Sequence, residues 1–260
     1  MVRVPPYFLA VQAQRWHRLC ALCHEPVYSY VCHASKDDHA KLGRFKLFKS
    51  MANTHLLCDT CHQLMTWRLP PVRLKALTGV SGNPSFFHLY FATYYQYPAN
   101  QALNQFKDHE SLSALMILIH ALRQLPKPVG CHAKNTAIVP MPTTDKRLVK
   151  RGFYPVMVLA KWLAHHWGLS IWQGLGRIAD SNRQRGLNRQ ARLDNIQDAF
   201  VLNDAPPVRQ LILFDDVATT GTTIQAAAGT IMRHSPDTRI IAVCAAHGTA
   251  QMSLLQTKEG

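Results

Sequence analysis

From Leu211 to Phe214 four apolar residues follow one another without a polar break, and the next two positions, Asp215 and Asp216, are both carboxylates. An unbroken apolar run is the pattern of a strand buried on both faces of a parallel sheet, whereas a half-buried strand alternates. Comparable runs predict strands near Thr136 to Val139, Ala199 to Leu202, Val208 to Phe214 and Arg239 to Ala245. Helical spacing is equally plain elsewhere. Within Glu110 to Gln124, Leu112, Leu115, Met116, Ile119 and Leu122 recur at intervals of three and four, which predicts a packing helix. Val156, Leu159, Ala160, Leu163 and Trp167 give a second helix its apolar face, and a third runs from Thr222 to Arg233, where His234-Ser235-Pro236 ends it. The segment Phe86 to Tyr97 alternates aromatic residues and supports two readings. It is either a strand with one face in the core or a row of rings on which unpaired bases stack. Strands interleaved with helices predict an α/β fold with a parallel sheet flanked by helices.

Candidate chemistry begins where the apolar run stops. Asp215 and Asp216 fall at the carboxyl end of the predicted strand, the end at which open α/β sheets bind ligands. Thr219, Thr220, Gly221, Thr222 and Thr223 follow. Gly221 permits a tight backbone path, and the N–H and hydroxyl groups around it can converge on an anion at the start of the next helix. Carboxylates accept hydrogen bonds from sugar hydroxyls, and the turn donates to phosphate, so one contiguous segment suits a phosphorylated sugar. A simple helix cap needs one acceptor and leaves the second Asp and the Thr-rich turn unexplained. A Walker-type phosphate loop is excluded, because no Gly-Lys-Ser/Thr follows. Upstream, Pro140-Met141-Pro142 forces a rigid exit from a short strand and leads into Lys146, Arg147, Lys150 and Arg151, opposed only by Asp145. From Arg177 to Arg192 the chain carries Arg177, Arg183, Arg185, Arg189 and Arg192 against Asp180 alone. Such a run reads either as a solvated loop or as guanidinium forks that close over a polyphosphate.

Composition adds a core of adequate size, a basic surface and a metal site. The 260 residues are 47% hydrophobic, ample for one large domain or two modest ones. The most apolar helical stretch, Leu112 to Leu122, is far too short to cross a bilayer, and no leader pattern opens the chain, so a cytoplasmic protein without membrane insertion is expected. With 29 Lys and Arg against 15 Asp and Glu, the net charge of +14 favours polyanionic partners. Four of the seven cysteines form two Cys-x-x-Cys pairs, Cys20/Cys23 and Cys58/Cys61. Two such knuckles complete the tetrahedral four-sulfur set that structural Zn2+ accepts. The 34 residues between the pairs imply an inserted loop, and Cys32, His33, His39 and His55 within it, with His24 and His62 beside the knuckles, leave a mixed ligand set open. Two domains are expected: a zinc-binding module over residues 1–80 and an α/β domain over 81–260.

The stretch Leu211 to Thr223, a hydrophobic strand followed by two acidic residues and a Thr-Thr-Gly turn, resembles the phosphoribosyl pyrophosphate (PRPP) motif of type I phosphoribosyltransferases. That resemblance implies that Asp215 and Asp216 hold the ribose hydroxyls, that Thr219 to Thr223 cradle the 5-phosphate and that Mg2+ accompanies the ligand. The order of features is more specific. Paired knuckles, Phe106-Lys107-Asp108, IVPMP, RLVKRGFYP, the segment Gln184 to Phe200 and the acidic motif together resemble the ComF family of competence proteins, from Cys20 to about Ala246. Pro140 to Pro142, Arg147, Arg151-Gly152-Phe153, Gln184, Leu187, Arg192, Asn195 and Phe200 fall on that family's recurring positions. Tyr154 stands where the family usually has Asn, and the insert between the knuckles is unusually long. The resemblance implies a cytoplasmic role in natural transformation, acting on imported single-stranded DNA beside a helicase and a strand-loading protein. It also implies pyrophosphate or loop contacts from Arg147, Arg151, Arg183, Arg185 and Arg192. The alternative expectation is a PRPP-dependent transferase with an acceptor the sequence does not identify.

Overall fold

The computed structural model describes residues 19–27, 56–67, 69–77, 85–178 and 199–248. The main sheet comprises β1 (Val72–Lys75), β2 (Phe86–Tyr94), β3 (Thr136–Pro140), β4 (Ser170–Ile171), β7 (Gln210–Ala218) and β8 (Arg239–His247). Its order is β1-β2-β8-β7-β3-β4, and β5 (Leu175–Arg177) pairs separately with β6 (Phe200–Leu202). Only β1 in the main sheet runs antiparallel, against β2, while β2/β8, β8/β7, β7/β3 and β3/β4 are parallel. The helices are α1 (Asp59–Gln63), α2 (Ala99–His109), α3 (Leu112–Arg123), α4 (Asp145–Arg151), α5 (Pro155–Trp167) and α6 (Thr222–His234). This is the mixed α/β architecture that the interleaved patterns predict, a mostly parallel sheet with helices on both sides.

The central strands explain their own composition. Leu211 and Leu213 pack into one buried cluster with Ile224, Ala227 and Ile231 of α6. Ile212 and Phe214 pack into the other, with α3 and α5. All four side chains are fully buried, each worth about 1.5–3 kcal/mol of hydrophobic stabilisation. β7 is longer than predicted. It continues through both aspartates to Ala218, because β8 carries on beside it and pairs Val217 with Ala246 and Ala218 with His247. The opposite edge stops sooner, at the pairing of Pro140 with Phe214.

Helix α3 holds the whole apolar pattern from Leu112 to Leu122 but is shorter than the predicted span Glu110 to Gln124. Glu110 adopts a left-handed conformation that ends α2, and Ser111 then caps α3 by accepting from the Ala114 N–H. Every residue of α3 from Ala114 to Leu122 is buried. The sheet covers one side, and Leu56, Leu57, Cys61 and Met65 of the knuckle region join the same cluster on another. The basic stretch before Gly152 forms α4, a short helix with no buried residue. Arg177, expected in a loop, lies instead in β5 opposite Phe200. β2 settles as a strand whose early residues alternate outward Phe86 and His88 with inward Phe87 and Leu89. The domain boundary expected after residue 80 falls outside the described residues, and β1 on its amino-terminal side is hydrogen-bonded into the sheet.

Helix α6 meets the chain after β1 at closest range through Gly229. The Leu77 N–H donates to the Gln225 carbonyl at 3.0 Å, and a Cβ at Gly229 would fall inside van der Waals contact of the Leu77 carbonyl oxygen. In an isolated helix Gly229→Ala would gain about 1 kcal/mol. Here the backbone clash should reverse the sign, and thermal unfolding is expected to show a loss of about 1–3 kcal/mol.

Candidate functional site

The uneven ends of the β7 pairings create the site. Beyond Phe214 the strand has β8 on one edge only, because Met141 turns its chain away after donating to the Phe214 carbonyl at 2.8 Å. Asp215 and Asp216 therefore sit beside an opening at the carboxyl end of the sheet. Asp216 is buried, and its Oδ1 accepts from Lys107 Nζ of α2 at 2.8 Å, the only ion pair among the described residues. Asp215 is half-buried, and its Oδ1 accepts from the Asp216 backbone N–H at 2.9 Å. Burial, then the neighbouring Asp216 charge, pushes the Asp215 carboxyl up to about 8, against the pull of the Asp216 N–H, Lys107 and Arg177.

Tyr154 forms part of the same wall. Its hydroxyl donates to the Met141 carbonyl, and burial, reinforced by the charges of Asp215 and Asp216, holds it well above the ordinary tyrosine range. Arg177 opposes that shift, and its guanidinium lies 5.6 Å from the centre of the Phe200 ring. Lys107, Tyr154 and Arg177 are the site residues that sequence reasoning underweights. Lys107 stands out in the sequence only as part of Phe106-Lys107-Asp108, and nothing in its local pattern points to a carboxylate 109 positions later.

The turn after β7 is built as its residues suggest. Gly221 has φ +72°, a conformation that calls for glycine, and a Cβ there would also press on Leu74 Cδ1 at 2.9 Å. Thr219, Thr220 and Thr223 are exposed, and the Thr220 and Thr222 hydroxyl oxygens lie 2.8 Å apart. The first amides of α6, which have no partner within the helix, open onto this turn. Arg147 and Arg151 lie on α4, exposed and without ion pairs among the described residues. Arg183, Arg185 and Arg192, with Gln184, Leu187 and Asn195, lie outside the described residues.

The knuckles come together as their spacing predicts. The sulfurs of Cys20, Cys23, Cys58 and Cys61 all lie within 4.8 Å of one another. Cys23 and Cys58 Sγ are 3.7 Å apart, close to the roughly 3.8 Å edge of a tetrahedron with 2.3 Å metal–sulfur bonds. Four thiols in this arrangement fit a tetrahedral metal ion. Despite burial, which raises it, the Cys20 thiol is lowered to about 7 by the backbone of Cys23, Cys58 and Leu22. Burial and the adjoining thiols push Cys61 well up. His62 points away from the sulfurs: its Nδ1 lies 2.8 Å from Nε2 of His120 on α3, and Trp67 stacks on its ring. Burial, then His62 and Arg123, lowers His120 to about 3, so the contact is between neutral rings. Cys32, His33, His39 and His55 lie outside the described residues.

Two outcomes follow from the aspartate geometry. Lys107→Met leaves a buried carboxylate unpaired beside a second acid and is expected to cost about 2–3 kcal/mol, discounted for the partial exposure of Lys107. The double variant Lys107→Met/Asp216→Asn should recover most of that loss in denaturant melts. For Asp215, a carboxyl raised in the folded chain binds its proton more tightly there than when unfolded, so folding stability falls as pH rises from about 4 to about 8. Asp215→Asn keeps the Oδ1 acceptor and removes this penalty. Its melting temperature should exceed wild type at pH 8.5 by a few degrees, at about 2–4 °C per kcal/mol for a chain of this size, and converge with it near pH 4.

Comparison with known proteins bears on the family. No family model matches the chain. It is 25% identical over 234 residues to DNA utilization protein YhgH of Escherichia coli, covering 83% of this chain and 91% of that protein. It is 31% identical over 103 residues to YhgH of Salmonella typhi, where the match spans 39% of this chain and only 45% of the relative. Competence protein F of Haemophilus influenzae is 32% identical over 125 residues, 46% of this chain and 53% of that protein. Among solved structures, a xanthine-guanine-hypoxanthine phosphoribosyltransferase of Helicobacter pylori matches at 13% identity and a TM-score of 0.28, over 56% of this chain and 96% of that one. A likeness at that score carries no weight, and the fold rests on the strand order and register above. The motif order and the relatives point the same way, and the chain is similar to DNA utilization protein YhgH and Competence protein F.

Proposed function

We propose that this chain serves DNA utilisation of the natural-transformation kind, handling single-stranded DNA, and that its α/β fold carries a PRPP-type sugar-phosphate site at the carboxyl end of β7. One observation carries the site: two adjacent aspartates stand at a one-sided strand end and run directly into a Thr-rich turn that opens α6. Asp215 and Asp216 accept from the ribose hydroxyls, with Lys107 holding the Asp216 carboxylate in place. Thr219, Thr220, Gly221, Thr222 and Thr223 donate backbone and hydroxyl hydrogens to the 5-phosphate. Arg147 and Arg151, joined by Arg183, Arg185 and Arg192, supply cations for the pyrophosphate. Mg2+ bound with such a ligand neutralises the charge between the phosphates. Cys20, Cys23, Cys58 and Cys61 hold a structural Zn2+ whose role is to fold the amino-terminal module onto α3. The net charge of +14 supports a polyanionic partner. No helix among the described residues is long and apolar enough to cross a membrane.

A second reading, PRPP-dependent transfer to an acceptor, draws on the Asp215 carboxyl. A group titrating at about 8 is suited to take a proton from an attacking nucleophile.

Calorimetric titration of PRPP with Mg2+ into wild type and Asp215→Asn/Asp216→Asn, each folded and carrying its zinc by elemental analysis, tests the site. Binding by wild type with a loss of at least about tenfold in the variant is expected, since each hydrogen bond to a charged group is worth about 1.5–3 kcal/mol. Equal binding by both proteins, or none by wild type, would remove the sugar-phosphate reading. Consumption of PRPP with a base or amine acceptor would instead establish the transferase.

A further inference from the structure

The opposite end of the sheet carries a second candidate surface. β2 begins with Phe86, His88 and Tyr90 at alternate positions, which in a strand places them along one face. The intervening Phe87, Leu89 and Phe91 are buried against α6 and the sheet interior. The outward row is not sealed by helices at its start. Phe86 is 46% exposed, and only Tyr90 packs in part against the core. Between this row, the start of β8 and the loop after α3 lies a groove of about 530 Å³, lined by Phe86, His88, Tyr90, Val129, Arg239 and Ile241. Arg239 pairs with Gln210 in the sheet and Asp215 with Cys244, so the groove begins five residues from Asp215 along the strands, roughly 17 Å away.

Cations flank the rings on both neighbouring strands. On β1, Arg73 pairs with His88 and Lys75 with Phe86. The Arg73 guanidinium lies 4.0 Å from the centre of the Phe86 ring, and Arg239 stands at the start of β8. All three are exposed, and none forms an ion pair among the described residues. An apolar protein partner would be poorly matched to three unneutralised cations, and a duplex keeps its base faces stacked inside. Exposed rings with adjacent cations suit a polyanion whose bases are free: every base offers a π-face to an aromatic ring, and Lys and Arg track the backbone phosphates.

We propose that this end of β1, β2 and β8 is a binding platform for single-stranded nucleic acid, with Phe86 and His88 stacking on bases, Tyr90 closing the row, and Arg73, Lys75 and Arg239 meeting phosphates. The proposal rests on the DNA-handling reading above and assigns it a site separate from the sugar-phosphate pocket.

The test is fluorescence anisotropy of a labelled oligo(dT) 20-mer titrated with wild type, Phe86→Ala/His88→Ala, Arg73→Ala/Lys75→Ala and Phe86→Trp, each checked by circular dichroism melts. The ring variant should bind at least about tenfold more weakly, and Phe86→Trp should keep wild-type affinity, because stacking tolerates any large ring. The cation variant should lower the slope of log affinity against log salt by about 1.4, near 0.7 for each lost phosphate contact. In case the ring variant fails to fold, photocrosslinking of bromodeoxyuridine-substituted strand to wild type, mapped by mass spectrometry, should mark β1 or β2. Undiminished binding by a folded ring variant, crosslinks confined elsewhere, or equal affinity for duplex would overturn the platform while leaving DNA handling intact. Absence of any single-strand affinity in wild type would overturn both.

Discussion

β7 has partners on both edges as far as Phe214 and on one edge thereafter, and the positions of most functional candidates depend on that change. A parallel strand buried on both faces must be apolar, and a strand that loses one neighbour can carry charge without desolvating it completely. The chain places its first carboxylate at the position where β3 ends. Asp216 remains buried and is tolerated because Lys107 reaches it from α2. Asp215 has no ion pair among the described residues, and burial beside the Asp216 charge pushes its carboxyl up. Two adjacent acids thus meet different surroundings, one of them paired to a lysine 109 positions earlier in the sequence.

The same economy governs the other face of the sheet. Helix α3 is buried almost all round because the sheet covers one side and the knuckle region covers another. The join is partly polar. His62, one residue beyond a knuckle cysteine, meets His120 from the helix, and Trp67 stacks on the His62 ring, meets His120 edge-on and donates to the His62 carbonyl. A neutral imidazole offers one donor and one acceptor, so one ring donates to the other here without placing a net charge beside the core. A metal that holds the knuckles would therefore also orient a residue that seats the module on α3.

The two ends of the sheet differ in character. The carboxyl end gathers acids, hydroxyls and helix-start amides, and α4, which follows β3, carries exposed arginines. The amino end of β2 and β8, with the antiparallel β1 beside it, shows rings and cations without a carboxylate paired to them among the described residues. Under the two proposals above, a small phosphorylated ligand and a long polyanion would draw on separate sets of charges, which matters because phosphate-binding side chains alone do not distinguish one from the other.

Local pattern was enough for whatever depends on near neighbours. The apolar run at Leu211 to Phe214, the spacing of Leu115, Met116, Ile119 and Leu122, the two Cys-x-x-Cys pairs and the glycine at position 221 each announced an element or turn that the structure contains, because periodicity, thiol spacing and positive φ are encoded within a few residues. What depended on partners was not legible. The extension of β7 to Ala218 follows from β8 running beside it, the helical form of Asp145–Arg151 and the placing of Arg177 in β5 follow from elements they join, and the outward facing of Phe86 and His88 follows from which face the helices leave uncovered. The pairing of Lys107 with Asp216 and of His62 with His120 likewise belongs to tertiary structure, since the free energy of burying a polar group depends on what the fold brings within reach of it.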